Sequence, residues 1–130
     1  MEAIRIDATV STPAVLFEPE QNLLRITGES YPENVLLFYE PILAAISAHL
    51  SEPDAGLVIE FHVRYLNTSS VKAVMDILDL AEEAYQSGRK TAVIWRYDPE
   101  DDRSLDIAEE FSEDLSLPFT TEAVDGGGYP

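Results

Sequence analysis

The run Gly56-Leu57-Val58-Ile59-Glu60-Phe61-His62-Val63-Arg64-Tyr65-Leu66 decides the fold. Leu57, Ile59, Phe61, Val63 and Tyr65 alternate with Glu60, His62 and Arg64, so the strand has one apolar and one polar face. A strand covered by helices on both sides would be apolar throughout. This one predicts a two-layer architecture, with helices on one face of the sheet and water or a partner on the other. Asn67-Thr68-Ser69-Ser70 follow at once and supply three hydroxyls suited to a helix N-cap. Residues 71–86 then predict a helix with Val71, Val74, Met75, Leu78 and Tyr85 inward, stopped at Ser87-Gly88 because glycine accepts the left-handed backbone after a helix.

Upstream, Ala14 to Glu18 and Leu23 to Thr27 are apolar-rich runs separated by PEQN, a β-hairpin pattern that Pro13 introduces. Ser30-Tyr31-Pro32-Glu33 has the spacing of a capping box and predicts a helix start at Ser30. Val35, Tyr39, Ile42, Ile46 and Leu50 form its apolar stripe, with a bend expected near Leu37 because Pro41 removes a backbone donor. Downstream, Thr91 to Tyr97 predicts a strand, and Asp101 to Leu115 a helix burying Leu105, Ala108, Phe111 and Leu115. Phe119 to Val124 predicts a last strand. The result is a single α/β domain: an opening β-hairpin, then alternating helices and strands in a mixed sheet with helices mainly on one face. It is expected to span residues 1–124, with DGGGYP at 125–130 as a flexible tail, since three glycines without an apolar anchor do not pack.

A chain of 130 residues can enclose a core without staples, and it has no cysteine, which excludes disulfides, thiol nucleophiles and cysteine-ligated metal. Eight Lys plus Arg against 25 Asp plus Glu give a net charge of −17, which argues against nucleic acid or anionic membrane as partners. The sequence MEAIRIDATV resembles no export signal, and no apolar run approaches the roughly 20 residues of a membrane-spanning helix. A soluble cytoplasmic protein without a cofactor is expected.

The most specific local feature is the junction from Tyr65 to Lys72, where a strand passes three hydroxyl residues to a helix start. Unpaired N–H groups and the positive end of the helix dipole make that position suitable for a phosphate. Lys72, four residues beyond Thr68, could neutralise a phosphate placed there. The commoner arrangement at this spacing is a plain cap by Thr68 or Ser69 with Lys72 solvated, and local chemistry leaves both open. Asp76, Asp79 and Glu83, and the cluster Asp98, Glu100, Asp101 and Asp102, read as solvated acidic faces; neither has the calcium-loop pattern, so no metal site is expected. His62 with Glu60, Arg64 and Arg96 reads as exposed strand residues or a binding surface, since no hydroxyl or thiol stands at catalytic spacing. A small hydrolase using Thr68 or Ser69 would need a triad, and neither His49 nor His62 has such a context.

Thr12-Pro13, Gly28-Glu29-Ser30-Tyr31-Pro32-Glu33-Asn34 and Tyr65-Leu66-Asn67-Thr68-Ser69-Ser70, in this order, resemble the bacterial SiaC family of regulatory phosphoproteins. The resemblance spans nearly the whole chain. It implies a STAS-like fold, similar to the anti-sigma-factor antagonists, and a non-enzymatic switch in biofilm and cyclic-di-GMP signalling. It further implies that Thr68 is the phosphoacceptor of a Ser/Thr kinase, that a PP2C-type phosphatase clears it, and that the unphosphorylated form binds and activates a diguanylate cyclase. Tyr31, Pro32, Glu33, Asn34, Asn67, Ser69, Ser70 and Lys72 are then the surroundings of that site, on two helix starts expected along one sheet edge. An anti-sigma-factor antagonist proper is the alternative binding module; no glycine follows the hydroxyls, as it does in ordinary STAS phosphosites, which favours the SiaC branch.

Overall fold

In a computed structural model that describes residues 3–124, β1 (Ile4–Ile6) and β2 (Ala14–Glu18) lead through a 3-10 turn (Pro19–Gln21) into β3 (Leu23–Ser30). There follow α1 (Val35–Leu50), β4 (Leu57–Leu66), α2 (Thr68–Gln86), β5 (Thr91–Tyr97), α3 (Asp102–Ser112) and β6 (Phe119–Ala123). The expected tail at 125–130 lies outside the described residues. The strands form one sheet in the order β1-β2-β3-β4-β5-β6. The first two pairings are antiparallel and the last three parallel. Each parallel crossover advances one strand in the same direction, so right-handed connections carry all three helices to one face.

Burial follows that geometry. Val15, Phe17, Leu24, Ile26, Leu57, Ile59, Phe61, Val63, Val93 and Trp95 alternate inward along four strands and meet Tyr39, Ile42 and Ile46 of α1, Val74, Ile77 and Leu78 of α2, and Ala108 and Phe111 of α3. Trp95 packs between Phe61 and Phe111, with ring centroids 5.1 and 5.7 Å away, and its indole N–H donates to Ser104 Oγ at 3.0 Å. On the opposite face Glu60 accepts from Arg25 and Arg96, both at 2.9 Å, and Arg96 also reaches Glu122 at 3.3 Å, an ionic row across β3 to β6. The mixed α/β domain with helices on one face is therefore as expected, and it is compatible with the STAS-like arrangement.

Several local expectations need correcting. β1 was not anticipated: its three residues are too few to show alternation. Met75 and Tyr85 of α2 are exposed, while Ala73, Ala81 and Ala84 are buried with Ile77. The seam against α1 and the sheet selects small residues that let backbones approach, so a stripe drawn through the large apolar residues is rotated from the true one. In α3 the buried positions are Ser104, Ala108 and Phe111, with Leu105 and Leu115 half-buried, and the helix ends at Ser112. α1 runs from Val35 to Leu50 with Pro41 inside it.

Ser30 caps no helix. It is the last residue of β3, paired with Leu66, and α1 begins only at Val35 with Asn34 as its cap. Strand pairing holds Ser30 extended, and Pro32 disfavours helical backbone at Tyr31, so long-range pairing overrides the local capping pattern.

Candidate functional site

Strands β3 and β4 run parallel and end together, with Asn67 N donating to Ser30 O at 3.0 Å. The turns into α1 and α2 therefore lie side by side at the C-terminal edge of the sheet, the edge where parallel α/β sheets bind ligands. Both helices start in the same way. Asn34 Oδ1 accepts from Leu37 N at 3.1 Å, and Asn67 Oδ1 accepts from Ser70 N at 2.8 Å. The expected hydroxyl cap on α2 is thus replaced by an asparagine one position earlier, a residue type that ranks at the top for this role.

That substitution of roles separates the three hydroxyls. Thr68 is the first helical residue, exposed, and its hydroxyl takes no part in the cap. The amides of Thr68 and Ser69 lie in the first helical turn, where N–H groups have no intrahelical acceptor and the helix dipole is positive. Ser69 is exposed as well. Ser70 is fully buried, its Oγ 2.8 Å from Ser30 Oγ, which lies 2.7 Å from the Tyr39 hydroxyl. Burial pushes the Tyr39 phenol above its ordinary pKa, outweighing the two serine hydrogen bonds. This buried chain ties β3, α1 and α2 together beneath the two turns and leaves Ser70 inaccessible to a modifying enzyme. Asn67→Ala is expected to cost about 1 kcal/mol of stability through the lost cap, and a urea titration followed by circular dichroism measures it.

Of the other expected surroundings, Tyr31, Glu33 and Asn34 are exposed and Pro32 is half-buried in the turn before α1. Lys72 is exposed and pairs with Asp76 one turn further on, at a loose 3.9 Å. Beside Ser69 and Lys72, a groove of about 430 Å³ opens between α1 and α2, walled by Val35, Leu36, Leu43 and Ala73. Leu36 and Leu37 are 72% and 73% exposed, unusual for leucines at a helix start. The stripe reading left these two unassigned. The signal was Val35-Leu36-Leu37-Phe38, four consecutive apolar residues, more than one helix face buries.

On the polar sheet face Glu60 is tied into ion pairs with Arg25 and Arg96. Burial pushes the Glu60 carboxyl up, but the hydrogen bonds and charges of Arg96 and Arg25 outweigh it and hold it below its usual value. Burial and the Arg96 charge lower the His62 pKa, against the opposing pull of Asp98. Among the described residues no group of three or more His, Asp or Glu could hold a metal ion, and no described helix is long and apolar enough to cross a membrane.

A mixed-sheet α/β domain with an exposed hydroxyl at a helix start and an apolar groove beside it has the layout of a small regulatory domain. The chain belongs to the SiaC family of regulatory phosphoproteins, whose family model matches residues 6–124. An uncharacterized protein of Pseudomonas aeruginosa strain UCBPP-PA14 is 41% identical over 125 residues, covering 96% of this chain and 99% of that one. The crystal structure of apo-SiaC from Pseudomonas aeruginosa superposes with a TM-score of 0.91 at 40% identity, covering 95% of this chain and all of that one. The SiaC-containing crystal structure of diguanylate cyclase SiaD in complex with its activator SiaC, from the same organism, gives a TM-score of 0.90 at 40% identity over 93% of this chain and 99% of that one.

Proposed function

We propose that this protein is a non-enzymatic signalling switch in cyclic-di-GMP control of biofilm formation. In this reading a Ser/Thr kinase phosphorylates Thr68, a PP2C-type phosphatase clears it, and the unmodified form binds and activates a diguanylate cyclase. The observation that carries the reading is the division of labour at the start of α2: Asn67 makes the cap, so the Thr68 hydroxyl stands exposed at a positive helix end. A relative with the same fold forms such a complex with a cyclase, which supports the choice of partner.

Phosphorylation adds about −1.5 to −2 charges. Against −17 this changes the whole molecule little, so the effect must be local, through repulsion and desolvation where a partner touches the α2 start. Protein isolated from its host and analysed by mass spectrometry is expected to carry a phosphate on Thr68 and none on the buried Ser70. Thr68→Ala is expected to abolish labelling by the host kinase. A phosphate found only elsewhere, or labelling that survives Thr68→Ala, would refute the assignment.

A further inference from the structure

Helix α2 packs with Ala73, Val74, Ile77 and Ala81 inward and leaves Met75 48% exposed. Beside Met75 a groove of about 200 Å³ opens between α2 and α3. Val71, Met75 and Leu78, one turn apart, form one wall, and Phe111 with Leu115, just beyond α3, forms the other. Its charged lining has one sign: Asp79, Glu110 and Asp114, all exposed. None of the eight Lys and Arg residues lines it. Lys72, the one cation on α2, lines the α1–α2 groove instead and pairs with Asp76, and Arg103, the one on α3, lies over the Tyr65 ring. Among the described residues Asp79, Glu110 and Asp114 take part in no ion pair.

We propose that the α2–α3 groove is a docking surface for a basic amphipathic helix of a protein partner. Two properties select this occupant. An apolar floor between two helices, with anchors at i, i+4 and i+7, accepts side chains that recur at the same spacing on an incoming helix. The carboxylates on its rim repel an acidic segment and gain nothing from a neutral one, whereas Lys or Arg beside an apolar stripe supplies their counter-charges. Met75 suits the contact, being unbranched and polarizable, so that it adapts to whatever side chain covers it. A second copy of this chain has the wrong sign, since two molecules of −17 repel and each would bring its own acidic α2 and α3 to the contact. The inference goes beyond the switch reading and does not rest on the modification of Thr68.

The test takes the full chain, at near-physiological salt, and a synthetic Leu/Lys peptide of about 18 residues, roughly five turns of amphipathic helix. A scrambled peptide of the same composition is the control, and fluorescence anisotropy reads Kd. The amphipathic peptide is expected to bind about tenfold more tightly than the scrambled one. Asp79→Lys with Asp114→Lys is expected to raise its Kd about tenfold or more. Glu52→Lys with Asp54→Lys, the same change of net charge on the exposed turn after α1, is expected to leave it within about twofold. Met75→Gln is expected to raise Kd about threefold through lost apolar contact, with an unchanged thermal midpoint. Equal binding of the two peptides, or equal losses in the two charge-reversed proteins, would mean non-specific attraction and overturn the groove. Self-association of the free chain that Met75→Gln abolishes would also overturn it, because a second copy would then be the occupant. Should the Asp79→Lys, Asp114→Lys protein fail to fold, Asp79→Asn with Asp114→Asn, set against Glu52→Gln with Asp54→Asn, reads the same outcome.

Discussion

Thr68→Asp is expected to weaken binding of the host diguanylate cyclase by about 10- to 100-fold, since placing one charge in a desolvated contact costs on the order of 1 to 3 kcal/mol. Thr68→Ala is expected to bind as tightly as the wild type, because Asn67 rather than Thr68 caps α2 and alanine favours a helix. The contrast matters more than either variant alone. Aspartate carries one charge where phosphothreonine carries nearly two, so the authentic phosphoprotein is expected to bind more weakly still. Calorimetry with purified cyclase, with cyclic-di-GMP synthesis as a second readout, measures both. Equal affinity for the wild type, Thr68→Asp and the phosphoprotein would show that the modification does not choose the partner.

The second large effect is structural. Gly28→Val is expected to destabilise the fold by about 1 to 3 kcal/mol, near the upper end because valine is β-branched. Gly28 has φ 113, while a Cβ there would stand 3.7 Å from Pro13 Cα, an ordinary contact. Backbone strain rather than collision is therefore the cause. Gly28 stands at a β-bulge, where the register between β3 and β4 shifts between Gly28 and Glu29, so strain there is expected to disturb the outward setting of Tyr65. Urea denaturation gives the first effect, and the altered exposure of Tyr65 to chemical modification gives the second. An unchanged unfolding midpoint would show that the bulge tolerates a side chain.

Residues 57–63 announced the architecture because their alternation arises from the sheet's two environments, which any six or seven consecutive residues on a half-covered strand record. The same parity misassigned Tyr65, since one extra residue inverts everything beyond it and nothing within 57–66 marks the insertion. Its only trace in the sequence is Gly28 on the neighbouring strand, a glycine within a run otherwise suited to pairing. The hydroxyl run at 68–70 pointed to a helix start correctly, yet it concealed which side chain makes the cap, because Asn67 looked like the end of the strand. Ser30 was misread for a physical reason as well: a capping box is a local pattern, and pairing with Leu66 across 36 positions of sequence outweighs it. Placement of the two turns along one edge, by contrast, followed directly from parallel pairing of β3 with β4.

The strand order itself bears on how the polypeptide is made. Because β1 to β6 stand in the sheet as they stand in the chain, every strand pairs with the one synthesised just before it, and no gap waits for a later insertion. Each parallel neighbour is joined by one helical crossover, so no pairing waits for a segment made later. The sheet can grow from its first hairpin as the ribosome releases each βα unit, so a nascent chain paused after α2 would already hold the Asn67 turn against Ser30.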